Sequence, residues 1–217
     1  FQYRVRIQPV AGHREFYIRA VDTRLPAMAD QRRFMGSPKR LYNVQQDPAD
    51  RLDNQLKATQ RAKRKVRLLC MEAGVDRMFT FTTRALLDRD LLLKAWDRFR
   101  RVMEANWKEF RYVATIEPHK SGQLHIHAGM SGFHNINHLR KLWHSCLNRA
   151  LGRSQTLVHG SDSPGNVNIP KTRSRTRYAG VKGATAIAGY IAKYVGKELT
   201  EDFNRKKYLH TKNVKLN

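Results

Sequence analysis

The clearest pattern along the chain is an apolar stripe between residues 88 and 107, where Leu92, Ala95, Trp96, Phe99 and Met103 recur at helical spacing. Three other segments share that period. Residues 48–73 open on Pro48-Ala49-Asp50, carry Leu52, Leu56, Thr59, Val66 and Leu69 on one side, and stop at Gly74. Residues 136–151, started by Asn135, align Ile136, Leu139, Trp143, Cys146, Leu147 and Ala150. Residues 184–199 align Ile187, Ala188, Ile191, Val195 and Leu199. Between the helices the period changes to two. Phe79 and Phe81 take one face of a strand over 77–83, and Thr80 and Thr82 the other. Phe110, Tyr112, Ala114 and Ile116 alternate with Arg111, Val113, Thr115 and Glu117, and a return strand runs from Gln123 to Ser131. Lys120-Ser121-Gly122 reads as a three-residue hairpin loop, with Gly122 in the left-handed region. Asn166 to Pro170 is a short strand suited to a sheet edge.

These elements predict an α+β fold. Tyr3–Ile7 and Glu15–Arg19 alternate like a small hairpin within an N-terminal extension, residues 1–47. The main domain is expected over 48–199, with a basic, frayed tail over 200–217. His134, His138 and His144 read as surface or capping residues, and Cys70 and Cys146 as core residues.

Charge changes this picture. The formal net charge of +24 on 217 residues calls for a polyanionic partner, nucleic acid first. Lys57, Arg61, Arg64, Lys65 and Arg67 line the helix over 48–73, as a solvated face or a phosphate-binding one. Lys171, Arg173, Arg175 and Arg177 crowd a Gly- and Ser-rich stretch that reads as a linker or as a loop gripping a nucleic acid strand. No apolar run approaches the about 20 residues of a membrane span, no signal-peptide pattern is visible, and the two cysteines fit a reducing compartment.

Two constellations carry chemistry. In His125-Ile126-His127 both imidazoles share a strand face, while Ile126 turns to the core. The hairpin register sets Glu117 opposite His125 on that face, so two imidazoles and a carboxylate converge, a set that binds a divalent ion. His119 shares the face and is an alternative third ligand. Imidazoles favour Mn²⁺ or Zn²⁺ in affinity, and cellular abundance favours Mg²⁺. On the last helix Tyr190, Lys193, Tyr194 and Lys197 share an arc beside the apolar stripe. A phenolate can attack a phosphodiester and keep it as an ester. Its ordinary pKa near 10 calls for a cation such as Lys193 or Lys197 to favour it.

Taken in order, these motifs resemble the HUH endonucleases, and among them the two-tyrosine rolling-circle replication initiators of phages and plasmids. Phe79 to Thr83 resembles the family's first motif, a strand near bound DNA, which makes Thr80 and Thr82 DNA-binding candidates. Glu117 to His127 resembles its metal motif, and Tyr190 to Lys197 its tyrosine motif. The likeness spans about residues 50–200. It implies an RRM-like antiparallel sheet of about five strands, with helices packed on it. It also implies metal-dependent nicking and joining of single-stranded DNA at an origin, with Mg²⁺ or Mn²⁺ as the only cofactor. Tyr190 or Tyr194 would hold the 5′ phosphate and leave a 3′-OH for a polymerase. The chain carries no Gly-x-x-x-x-Gly-Lys-Ser/Thr loop, so a host helicase is expected, in a bacterial cytoplasm. The competing readings are an HUH transposase or relaxase, a non-catalytic nucleic-acid-binding protein, and a metal hydrolase that uses water.

Overall fold

Five strands make the central sheet, each antiparallel to its neighbours. The computed structural model describes residues 2–10, 13–21, 48–119, 121–153, 163–169, 180–195 and 208–216. In chain order the elements are β1 (Gln2–Val10), β2 (His13–Val21), α1 (Pro48–Glu72), β3 (Arg77–Thr83), α2 (Arg89–Asn106), β4 (Tyr112–Pro118), β5 (Leu124–Met130), α3 (Ile136–Ala150), β6 (Gly165–Asn168), α4 (Gly180–Val195) and β7 (Leu209–His210). The chain divides into two compact units, residues 1–54 with 217, and residues 55–216. In the first unit β1 and β2 pair as an antiparallel hairpin from Gln2↔Val21 to Val10↔His13.

In the second unit the sheet order is β6-β3-β5-β4-β7. The segment from β3 to β6 runs strand–helix–strand–strand–helix–strand, and its fourth, first, third and second strands lie side by side. That is the split β-α-β arrangement of ferredoxin-like and RRM-like folds. Helices α2 and α3 cover one face. Phe81 is the centre of that core, with its ring 5.2 Å from Trp96, 4.9 Å from Phe99 and 5.3 Å from Trp143. The stripe read on α2 is its buried stripe, Leu92, Ala95, Trp96, Phe99 and Met103. Asp88 caps this helix by accepting the Leu91 N–H at 2.7 Å.

Helices α1 and α4 supply the opposite cluster, where Val66, Leu69, Cys70 and Ala73 meet Met78, Val113, Ile187, Ala188, Ile191 and Val195. Leu52 and Leu56 depart from expectation and stay exposed. The apolar cluster takes up α1 only from Ala62 onward, so the stripe outruns the surface it can cover. His134 also departs from its surface reading. It is buried, with its Nε2 on the Ser131 carbonyl at 3.0 Å and its ring against Phe79, Trp107 and Phe110.

The expected frayed tail is the largest correction. Residues 208–216 dock on the sheet, with Leu209 and His210 paired to Ala114 and Val113. The buried Thr211 hydroxyl accepts the Tyr112 N–H at 2.8 Å, and Val214 joins the α1–α4 cluster. A two-residue strand is too short for alternation to show, and what fixes it is the open backbone edge of β4.

Candidate active site

The site grows out of the register of three strands. On the α4 side, Met78, Gly129 and Val113 form one cross-strand row, and Thr80, His127 and Thr115 form the next. Glu117 opposite His125 continues the face. The first row is apolar and receives α4, while the others are polar and line the site. Gly122 closes the hairpin at φ +82°, in the left-handed region its turn needs.

Gly129 decides how closely α4 can lie. A Cβ there would stand 2.9 Å from Ile187 Cγ2 and 3.2 Å from both Ile191 Cδ1 and Val75 Cγ2. With hydrogen at that position, α4 rests directly on β5, and its tyrosines reach the histidine row. The Tyr194 ring stacks on His127 at 4.2 Å and an interplanar angle of 9°. The Tyr190 ring lies 6.0 Å from His127 and nearly perpendicular to it. The Tyr194 hydroxyl donates to the Tyr190 oxygen at 2.7 Å. Thus β5 and α4, remote in sequence, bring the His-x-His pair and the tyrosine pair into ring contact.

Hydrogen bonds fix His127. Its Nε2 donates to Glu117 Oε2 at 2.7 Å, and its Nδ1 lies 3.1 Å from Thr80 Oγ1. With Nε2 carrying the proton, Nδ1 accepts from the Thr80 hydroxyl. Thr80, singled out for DNA contact, is therefore an anchor for a histidine. His125 stacks on His119 at 4.9 Å, and His119 Nδ1 is 2.8 Å from Ser121 Oγ. Burial, then the neighbouring His119 and His127, push the His125 imidazole below its usual range, which keeps it neutral and available as a donor.

His125, His127 and Glu117 share a face and have the donor chemistry of a divalent-cation site. Glu117 is spent on His127, and among the described residues no group of three His, Cys, Asp or Glu side chains is gathered around one point. The residues fit a metal by type and position. Binding one at His127 Nε2 requires that nitrogen to lose its proton and Glu117 to turn with it.

The two tyrosines are unequal, against the expectation that both sit beside the buried stripe. Tyr190 is 40% exposed and Tyr194 only 9%, because Tyr194 lies beneath the His127 ring. Burial, then the bond and charge coupling with Tyr190, then Glu117, push the Tyr194 phenol well above its ordinary range. Its phenolate is thus disfavoured here, contrary to the lysine-activation expectation. Lys193 is exposed on the same helix, and Lys197 lies outside the described residues. On α1, Arg61 and Lys65 are exposed and Arg64 is half-buried. The Thr82 hydroxyl donates to the Asn166 carbonyl on β6 at 3.3 Å. Lys171, Arg173, Arg175 and Arg177 lie outside the described residues. Sequence reasoning passed over Gly129, although a glycine inside a strand, two residues past His127, is a signal of close approach.

A strongly basic α+β protein with an imidazole–carboxylate face against two phenols belongs among the proteins that handle nucleic acid. The family model for the replication-associated protein ORF2 and its phage counterparts matches residues 76–199, more than half of the chain. The chain belongs to that family, one of rolling-circle replication initiators, and is a DNA-binding protein of replication. No curated protein and no solved structure matches it. Among the described residues, no helix is long and apolar enough to cross a membrane.

Proposed function

We propose that this protein nicks and rejoins single-stranded DNA at a replication origin through a covalent phosphotyrosine, and so starts rolling-circle replication. The observation that supports this reading is the contact of the His127 ring with the Tyr190–Tyr194 pair, which brings a metal-type donor set and two candidate nucleophiles to one place.

His125, His127 and Glu117 would hold Mg²⁺ or Mn²⁺, which supplies Lewis-acid polarisation of a phosphate. Tyr190, the exposed phenol, attacks first. Its Oη bonds to phosphorus and the P–O3′ bond breaks. The 3′ oxygen leaves as a hydroxyl after taking a proton, and the 5′ phosphate stays on the tyrosine. Tyr194 orients the Tyr190 oxygen through their 2.7 Å hydrogen bond and serves as the second acceptor one helical turn away. Lys193 and Lys197 balance the charge of the phosphate. Arg61, Arg64, Lys65, Thr82 and the 171–177 cations hold the strand. Host helicase and polymerase then extend the free 3′ end in the bacterial cytoplasm.

The test is incubation with single-stranded origin DNA and Mn²⁺, followed by a denaturing gel. A protein–DNA band is expected, lost with EDTA, in the His125→Ala/His127→Ala variant and in the Tyr190→Phe/Tyr194→Phe variant. Cleavage without a covalent band would make water the nucleophile and overturn the proposal.

A further inference from the structure

A groove of about 640 Å³ opens beside the site, with His125 and Thr82 in its lining. Its other walls include Arg84, Gln123, Arg140 and His144. The full lining holds two arginines and no carboxylate. Its volume lies within the about 300–1,000 Å³ of sites that take small organic molecules.

The walls are held in place. Gln123 Nε2 donates to the Arg84 carbonyl at 2.8 Å. Arg140 donates from Nε to the Val167 carbonyl at 3.0 Å and from Nη1 to Asn137 Oδ1 at 3.3 Å, which leaves Nη2 to the groove it lines. His144 Nε2 donates to the Gly165 carbonyl at 2.7 Å. A solvated surface leaves such side chains loose, whereas backbone anchors fix them and lower the entropy cost of binding.

We propose that this groove seats one nucleotide of the single-stranded substrate, the one next to the phosphate at His125, with its base read by Gln123 and Arg140. The substrate class rests on the proposed function; the groove adds which part of the strand is read and by what. An amide and a guanidinium edge match the donor and acceptor edges of a base, and the absence of acid on the walls suits the adjoining phosphates. The volume also exceeds what phosphate contacts alone would require.

The test needs neither metal nor cleavage. Fluorescence anisotropy in EDTA compares fluorescein-labelled (dT)12 with a twelve-residue abasic strand. The wild type is expected to bind (dT)12 at least about fivefold more tightly, the lower end of what a hydrogen-bonded base contact gives. Gln123→Ala with Arg140→Lys, which keeps the charge but loses the planar fork, is expected to bring (dT)12 down to the abasic value while abasic binding stays unchanged. Selectivity that survives in the variant, or equal weakening of both strands, overturns the proposal. Photo-crosslinking of the wild type with 4-thiothymidine in (dT)12 gives a second reading free of folding effects. Adducts are expected at Gln123, Arg140 or His144, and adducts confined to other residues overturn the groove assignment. A protein that shows base selectivity but never cleaves origin DNA would refute the nicking reading alone, and one that cleaves without selectivity would refute the groove alone.

Discussion

Replacing Gly129 by alanine tests how the tyrosine helix is held over the histidines. The new Cβ would stand 2.9 Å from Ile187 Cγ2 and 3.2 Å from Ile191 Cδ1 and Val75 Cγ2. Carbon pairs rest at about 3.5–4.0 Å, so α4 must lift by several tenths of an ångström. Ile187 cannot swing its Cγ2 aside cheaply, because a β-branched residue in a helix keeps one strongly preferred rotamer. Overpacking costs about 1–3 kcal/mol. Removing a strand glycine returns about 0.5–1 kcal/mol. The net loss of about 0.5–2 kcal/mol corresponds to a Tm lower by about 1–8 °C for a unit of this size.

Gly189→Ala is the matched control. It sits on the same helix with nothing within 4 Å of where its Cβ would stand, so it is expected to gain about 0.8–1 kcal/mol and melt about 2–4 °C higher. Activity should separate the two further. A lifted α4 carries Tyr190 and Tyr194 away from His127, and a misplacement of about 1 Å can cost ~10²-fold in rate. Circular dichroism melts and the rate of covalent-band formation in Mn²⁺ give both quantities. Ile187→Leu removes the offending Cγ2, so combined with Gly129→Ala it should restore part of both losses. If Gly129→Ala melts at or above the wild type and forms adduct at the wild-type rate, the close-approach argument is wrong.

Thr80→Val removes the hydroxyl at His127 Nδ1 and is expected to weaken Mn²⁺ binding by about 10- to 100-fold, read by calorimetry, with little change in Tm. Thr211→Val leaves the buried Tyr112 N–H without its partner and should cost about 1–3 kcal/mol in urea unfolding. Burial pushes the Cys146 thiol up to about 11 and the Cys70 thiol higher still. Both therefore stay protonated at pH 8.5, where an ordinary thiol is about half ionised. Iodoacetamide at that pH should label neither in the native protein and both in urea. Because the folded state favours the neutral thiols, their contribution to stability is present below the unfolded thiol pKa and is lost as pH rises through and above it.

Much of this site was legible in the chain because a strand has period two. Once His125 and His127 were read on one face and Gly122 as the turn, Glu117 had one place to go, opposite His125. The buried stripe of α2 was equally plain, since it packs along its whole length. What escaped was set by tertiary contact. The α1 stripe gave no sign of where its covering surface ends, so Leu52 and Leu56 read as buried. His134 acquires its burial from three aromatic rings brought in by other segments. The difference between Tyr190 and Tyr194 depends on how closely α4 settles onto Gly129, which helical spacing alone does not encode. The docking of Leu209 and His210 follows from an open edge on β4 rather than from any pattern of their own.

The most direct test is peptide mapping by mass spectrometry of the covalent product formed on single-stranded origin DNA in Mn²⁺. The account expects the first nucleotide adduct on Tyr190, the exposed phenol of α4, moving to Tyr194 only in a second transfer. A first adduct on any residue outside this pair, or a cut strand with no residue modified, would contradict it.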